Sequence, residues 1–350
     1  MILKLVSVYL RRDGAGRLQC TNFYRQGARV PKTLAASCLR LLYYACFYQL
    51  PFAMPESYIK RILDARVYDV ARETPVDQAM LLSKRFGNSI WLKREDLQPV
   101  FSFKLRGAYN KMTRLSAAQR ERGVIAASAG NHAQGLAMAA QRMGVSATIV
   151  MPRTTPSIKV DAVRSRGAHV VLYGDNFDEA STHAQKLVKE KDLTYVHPFD
   201  DPDVIAGQGT VGMEIVRQHQ EPLDAVFIPV GGGGLLAGMA AYIRYVWPNT
   251  KIIGVEPEDA ACLKAALEKG RRVTLPEVGL FADGCAVAQV GKETFRIIRH
   301  TVDEVITAST DEMCAAIKDI FEAVSYTHLR AHETVVRISY AVFCLKRGGG

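Results

Sequence analysis

Residues 225–246 read AVFIPVGGGGLLAGMAAYIRYV. The first six are apolar and uncharged, as a strand covered on both faces of a sheet should be. Four glycines, Gly231, Gly232, Gly233 and Gly234, follow without a spacer, and an apolar helical pattern opens at Leu235. A strand that turns through glycine straight into a helix is the unit of a parallel α/β sheet. One or two glycines serve a tight turn. Four let a backbone close on an anion while the free N–H groups of the helix start point at it, so a phosphate is the natural ligand. The stretch also fits a dinucleotide fingerprint, with Gly232, Gly234 and Ala237 in its three positions and Glu256 ending the next strand. Alone, the loop leaves a nicotinamide cofactor and another phosphorylated cofactor both open.

The same alternation extends to either side. GVIAAS precedes NHAQGLAMAAQRMG, SATIVM precedes a helix over Lys159–Arg166, HVVLY precedes Phe177–Lys191, and KIIGVE precedes Cys262–Lys269. The pattern predicts an α/β protein with parallel strands, right-handed crossovers and helices on both faces. A further helix over Asp311–Val324 opens with the capping-box spacing Ser309-x-x-Glu312 and carries Met313, Ile317, Ile320 and Val324 on one stripe. In an open sheet of this kind the ligand lies beyond the carboxyl ends of the strands, so the chemistry belongs in the loops that follow them.

Two more segments meet that condition or flank it. Ser128-Ala129-Gly130-Asn131-His132 follows the strand GVIAA and begins a helix. Its backbone donors suit a carboxylate or phosphate, and the Asn131 amide can donate to a phenolate-type oxygen. Ser128 as a plain helix cap explains the serine but not the Gly-Asn-His run. Lys93-Arg94-Glu95-Asp96 follows the apolar strand SIWL, and Lys104 stands a little further on between Phe103 and Leu105, at the start of a helix. A lysine there is solvated by default. In partly apolar surroundings it loses its proton and serves as a Schiff-base nucleophile or general base. A lysine of that kind, a phosphate loop and a loop for a carboxylate and a phenolate together suggest pyridoxal 5′-phosphate. A nicotinamide oxidoreductase accounts for the glycine loop alone.

Charge is uneven along the 350 residues. The formal net charge is +10, from 45 Lys/Arg and 35 Asp/Glu. Residues 1–53 hold eight Lys/Arg and one Asp, and residues 325–350 hold four Lys/Arg and one Glu. Residues 54–324 are therefore neutral, with 33 bases and 33 acids. The basic character belongs to the ends, which argues against nucleic acid or a membrane surface as the partner of the body. The apolar run Leu41–Ala53 is too short to span a bilayer. Residues 1–53 read either as an Arg-rich targeting extension or as sequence foreign to the neutral body, with Met54 as the start. The tail shows no clear helical or strand period, and its His328, His332 and Glu333 do not make the H-E-x-x-H zinc spacing. The seven cysteines show no metal or redox pairing and read as free thiols of a reducing compartment.

Five stretches, KREDLQPVFSFKLRGAYNKM (93–112), SAGNHAQG (128–135), PFDDPDVIAGQGT (198–210), PVGGGGLLAG (229–238) and GLFADGCAV (279–287), carry a resemblance. They resemble, in family order, the catalytic domain of the threonine dehydratases, members of the fold-type-II family of pyridoxal-phosphate enzymes. The resemblance runs from about Tyr58 to Val324. It implies two αβα domains with mainly parallel sheets and the cofactor in the cleft between them. The large domain would comprise 54–97 and 201–324, the small domain 98–200, with 1–53 and 325–350 outside the family pattern.

By the same resemblance Lys104 would be the catalytic, cofactor-linked lysine and Phe103 would pack on the cofactor ring. Asn131 would bond the ring oxygen, and Gly231 to Gly234 would hold the phosphate. Ser128, Gly130 and His132 would cradle the substrate carboxylate. The implied reaction converts L-threonine to 2-oxobutanoate and ammonia, and L-serine to pyruvate, in the manner of isoleucine biosynthesis. Lys104 would take the α-proton as the β-hydroxyl departs. The implied partner is a small amino-acid substrate, the assembly a homo-oligomer, and the location cytoplasmic unless residues 1–53 direct import into an organelle. A serine dehydratase of the same fold and an inactive truncated fragment are the alternatives.

Departures from the pattern sharpen it. Related serine racemases carry a second serine where this chain has Ala129, which argues against racemisation. Some relatives bind a divalent ion near the segment matching Glu256, Ala260 and Cys262, with an aspartate in the last place. A cysteine there suits no hard cation, and no metal is expected. The family's Glu-Pro-Ser-Gly motif and its later Ser-Gly loop, which contacts the pyridine nitrogen, do not occur in 325–350. A chain truncated there would leave apolar surface uncovered.

Overall fold

The computed structural model describes Tyr9–Arg12, Leu18–Thr21, 56–279, 281–328 and 342–347, with side chains from Tyr58 to Ile320 apart from Leu280. Most of 1–53 and of 325–350, and with them the expectations placed there, lie outside the described residues. The chain divides into two units, Met1–Ala53 and Met54–Gly350. In the first, β1 (Tyr9–Arg12) and β2 (Leu18–Thr21) pair antiparallel, with Tyr9 opposite Thr21.

Among the described residues the second unit holds two sheets. Strands β3 (Val76–Gln78), β4 (Asn88–Lys93), β9 (Ala225–Pro229), β10 (Lys251–Pro257), β11 (Glu304–Ala308) and β12 (Val342–Arg347) form one, in the order β11-β10-β9-β12-β4-β3. Strands β5 (Val124–Ala127), β6 (Ala147–Met151), β7 (His169–Leu172) and β8 (Thr194–Tyr195) form the other, in the order β7-β6-β5-β8 and parallel throughout. The helices are α1 (Glu56–Leu63), α2 (Met80–Phe86), α3 (Lys104–Thr113), α4 (Ala117–Arg122), α5 (Asn131–Met143) and α6 (Ser157–Arg164). They continue as α7 (Phe177–Lys191), α8 (Pro202–Gln218), α9 (Gly234–Val246), α10 (Cys262–Glu268), α11 (Lys292–Thr301) and α12 (Thr310–His328).

Strand β5 shows why these strands lack charge. Its Val124 and Ala126 enter one apolar cluster, with Leu105 and Leu136, while Ile125 and Ala127 enter another, with Ala180 and Ala184 of α7. Alternate residues face opposite layers of helices, and both layers are apolar. In the larger sheet β9, β10 and β11 run parallel, with Val255 beside Pro229 and Ile253 beside Glu304. The capping box at Ser309 forms as expected, its hydroxyl accepting the Glu312 N–H at 3.3 Å and the Glu312 carboxylate accepting the Ser309 N–H at 2.8 Å. On α12 Ile320 is buried and Met313 and Ile317 are half-buried, while the Val324 side chain lies outside the described residues.

The tail differs from its reading. Val342–Arg347 (VFCLKR) is a strand, antiparallel to both neighbours, with Phe343 opposite Phe227 of β9 and Leu92 of β4. Between β9 and β4 lies a gap whose two edges present unpaired backbone groups, and a β-prone segment satisfies both edges at once. The run is as short as the other strands, but no helical pattern follows it, so the strand–helix alternation that marks the parallel strands does not mark this one.

Helix α8 fixes the geometry that matters for chemistry. A Cβ on Gly207 would lie 2.7 Å from the Arg106 carbonyl of α3, and one on Gly238 of α9 would lie 2.4 Å from the Ile205 carbonyl. Helices α3 and α9 thus pack backbone to backbone on α8. The first residue of α3 is Lys104, and α9 begins in the glycine loop. One helix therefore positions both.

A buried ionic network ties the same elements together. Lys93 at the end of β4 meets Glu214 of α8 at 2.7 Å, and Arg106 of α3 meets Glu214 at 2.5 Å and Glu95 at 2.7 Å. All four side chains are at most 2% exposed. Thr74 donates to Glu95, Tyr68 donates to Glu214, and the Thr74 carbonyl accepts from Lys93. Every charge has an opposite partner and further hydrogen bonds, the condition under which buried ions are tolerated.

Candidate active site

Three loops follow strand ends, as the α/β rule requires. The glycine loop follows β9, and Gly233 takes φ +90°, a left-handed conformation that a β-carbon would strain. The loop carbonyl of Gly232 accepts the Thr294 hydroxyl at 2.8 Å and the Gly291 N–H at 3.2 Å, which anchors it to α11. The first N–H groups of α9 have no partners within the helix and converge on the loop. Such donors suit an anion, and Phe199 packs so closely on the loop that a β-carbon on Gly232 would lie 2.3 Å from its ring.

The Ser128 loop follows β5. Gly130, not Ser128, is the capping residue of α5, and the Ser128 hydroxyl accepts the Gly130 N–H at 3.3 Å. The simple cap reading of Ser128 therefore does not hold. Asn131 is the first helical residue and half-buried, and His132 beside it is 3% exposed. The His132 Nε2 lies 2.9 Å from the Val196 carbonyl, so Nε2 carries the proton and Nδ1 is left as an acceptor. Among the described residues that buried Nδ1 has no partner. Burial, and the Lys104 charge after it, push His132 down to about 3, so the ring is neutral at physiological pH.

Lys104 is half-buried, flanked by buried Phe103 and Leu105. Its ammonium lies 5.5 Å from the Phe103 ring centroid and donates to the Pro198 carbonyl at 3.1 Å. Burial lowers its pKa to about 8, against a small opposing contribution from Cys285. A neutral amine is thus within easy reach, as a nucleophilic lysine needs. Helix α5 comes close from one side, since a Cβ on Gly135 would sit 3.0 Å from the Leu105 N. Three residues before Lys104, Phe101 holds φ +58°, a strained conformation of the kind that concentrates at functional sites.

The structure also assembles residues that the sequence reading left without a role. Val196 to Asp200 touches every part of the site. The Val196 carbonyl meets His132, the Pro198 carbonyl meets Lys104, and Phe199 covers Gly232 and Gly234. Asp200 then accepts the N–H groups of Lys292, Glu293 and Thr294, capping α11 from more than ninety residues away. Cys285 is the other such residue: a Cβ on Gly231 would lie 3.1 Å from its Cα, and burial pushes its thiol up to about 12. A His-Pro pair that follows β8 after a single residue, Val196, is the signal that marks the first of these segments.

Glu256 does not serve as a ribose acceptor. Its carboxylate accepts the N–H groups of Leu263 and Lys264 at 2.8 and 2.9 Å, capping α10. That removes the support for the nicotinamide reading. Among the described residues no group of His, Cys, Asp and Glu could hold a metal ion, and no helix is long and apolar enough to cross a membrane.

A family model, "Pyridoxal-phosphate dependent enzyme", matches residues 67–326. The chain belongs to the pyridoxal-phosphate dependent enzyme family. Over 268 residues it is 59% identical to the biosynthetic L-threonine dehydratase of Burkholderia multivorans, covering 76% of this chain and 53% of that one. It is 58% identical to the biosynthetic chloroplastic threonine dehydratase of Arabidopsis thaliana, covering 76% of this chain and 45% of that one. The chain thus spans about half the length of the curated relatives it matches. Among solved structures, processed threonine deaminase isoform 2 of Solanum lycopersicum aligns with a TM-score of 0.76 at 52% identity, over 81% of this chain and 82% of that one. Maize serine racemase aligns with a TM-score of 0.74 at 30% identity, over 81% of this chain and 86% of that one. The α/β architecture is that of the fold-type-II members, and pyridoxal phosphate is the cofactor of this family.

Proposed function

We propose that the chain is a pyridoxal-phosphate-dependent ammonia-lyase that converts L-threonine to 2-oxobutanoate and ammonia, of the type that serves isoleucine biosynthesis. The observation that carries the reading is Lys104, a lysine without a carboxylate partner, lowered to about 8, at the start of a helix locked to the glycine loop. The site suits the cofactor. The glycine cradle and the start of α9 would take the phosphate, Lys104 would hold the aldehyde carbon, and Asn131 would donate to the ring oxygen. Phe103 would pack on the ring. Residues 98–200 would form the small domain, and 54–97 with 201–324 the large one.

Bound there, the cofactor supplies an electron sink that acidifies the α-hydrogen of an amino acid. The protein supplies the rest. The Ser128 loop with Gly130, and the first N–H groups of α5, would orient the substrate carboxylate beside His132. The His132 ring is neutral and brings no positive charge, so the hold on the carboxylate rests on hydrogen-bond donors. The Lys104 amine takes the α-proton and, protonated, assists the departing β-hydroxyl. Serine lacks only one methyl group, worth about 1–3 kcal/mol of discrimination, so it should turn over as well.

The test is to load the purified chain with pyridoxal phosphate, add L-threonine or L-serine, and measure the keto acids. Formation of 2-oxobutanoate supports the reading. Pyruvate without 2-oxobutanoate would make the chain a serine dehydratase, and cofactor uptake without either product would make it a non-catalytic fragment.

A further inference from the structure

The Pro198 carbonyl that receives Lys104 belongs to no helix or strand. The turn that carries it is held from within by one side chain. His197 Nδ1 accepts the backbone N–H groups of Phe199 at 3.2 Å and Asp200 at 2.8 Å. An imidazole nitrogen that accepts cannot carry a proton, so the proton of the neutral ring must sit on Nε2. Protonation of Nδ1 would turn both hydrogen bonds into donor–donor clashes. We infer that His197 is a positioning residue whose unprotonated Nδ1 holds the Pro198–Asp200 turn, and through it the Lys104 amine and the glycine loop.

Each link is direct. Pro198 sits between the ring and the two N–H groups it accepts, and its carbonyl takes the Lys104 ammonium. Phe199, whose N–H the ring accepts, covers Gly232 and Gly234. Asp200, whose N–H the ring also accepts, caps α11, whose Thr294 hydroxyl holds the Gly232 carbonyl. Loss of the acceptor therefore loosens the lysine and the phosphate loop together. The surroundings favour the neutral ring. Partial burial disfavours its cation and Lys104 of α3 repels it, while Asp200 and Asp201 pull the other way. Two edge-on aromatic rings, Tyr195 of β8 and Phe199, enclose it, and neutral His132 of α5 faces it. The net direction is down from the ordinary histidine value.

This inference rests on the cofactor reading above, and its test uses cofactor capture rather than turnover. Wild type, His197→Phe and His197→Asn are titrated with pyridoxal phosphate, and the lysine adduct is followed by absorbance. The asparagine oxygen stands where Nδ1 stands and accepts the same N–H groups, whereas phenylalanine keeps the ring and accepts nothing. His197→Phe should weaken capture about tenfold, the equivalent of one hydrogen bond, and His197→Asn should return it to within about threefold of wild type. Wild-type affinity in His197→Phe overturns the inference, as does an asparagine variant no better than the phenylalanine one. Absence of capture by wild type overturns the cofactor reading itself.

Should the phenylalanine variant fold poorly, the asparagine variant decides alone. Acid lowers capture in both proteins as Lys104 is protonated, but wild type should fall more steeply because His197 is protonated too. The ratio of wild-type to His197→Asn capture should therefore drop as pH falls, and a ratio independent of pH overturns the inference.

Discussion

Two buried or half-buried lysines, Lys93 and Lys104, stand eleven positions apart in sequence and do opposite things. Lys93 is fully buried and answered by Glu214 at 2.7 Å, with the Thr74 carbonyl and Gln218 completing its shell. Among the described residues Lys104 has no carboxylate partner, and the Pro198 carbonyl alone accepts its ammonium. Burial penalises both cations. At Lys93 the ion pair makes a strut and opposes that penalty without cancelling it, since burial still holds the value below the ordinary lysine range. At Lys104 a bare carbonyl leaves the amine ready to lose its proton. The difference in partner, not in burial, separates the structural lysine from the reactive one.

The comparison can be broken at either end. Lys104→Ala should cost the most, lowering keto-acid formation by at least about a thousandfold, since it removes both the covalent anchor and the proton carrier. Steady-state assays with threonine check it, and a loss below about tenfold would return Lys104 to an ordinary surface role. Glu214→Gln should instead act on folding, by about 3–5 kcal/mol, because it strands Lys93 and weakens the hold on Arg106. Urea unfolding measures it, and a change under 1 kcal/mol would mean that the network is not the strut described here.

Gly232→Ala sharpens the link between the two regions. The added methyl meets the Phe199 ring, and an overpacking cost of about 1–3 kcal/mol should appear in pyridoxal phosphate affinity. The pH dependence follows from the Lys104 value. Its reactive amine fraction should rise about tenfold per pH unit up to about 8 and then level off, visible in the rate of cofactor capture. The sign for stability is the same. The native lysine gives up its proton near 8 and the unfolded one near 10.5, so this group's contribution is complete above 10.5 and is lost as pH falls to about 8. The smallest effect lies far from both lysines. Ser116→Ala removes the capping box of α4, in which the serine accepts the Gln119 N–H, and should cost about 1 kcal/mol in thermal unfolding.

The parts of this molecule that were legible in its sequence are those in which cause and consequence are neighbours. The run AVFIPV, the four glycines and the helix after them carry strand, anion loop and helix start within twenty-two residues. Phe177–Lys191 is the helix that its periodicity predicts, residue for residue. Lys104 could be suspected from Phe103 and Leu105 on either side. What could not be read is what only the fold brings together. Lys93 and Glu214 are 121 positions apart, so the KRED run gives no sign that its lysine is buried. The cap on α11 comes from Asp200, and no local residue announces it. Strand β12 pairs with β4 and β9, both more than a hundred positions away, so nothing beside it in the sequence announces its place.

The account stands on Lys104 as the lysine that joins the cofactor, and chemical trapping reads this directly. The purified chain is incubated with pyridoxal phosphate at pH 8, reduced with borohydride, digested and analysed by mass spectrometry. The account predicts a pyridoxyl-phosphate adduct on the peptide that contains Lys104, and none on Lys93. An unmodified Lys104, with label scattered over surface lysines or absent, would contradict it.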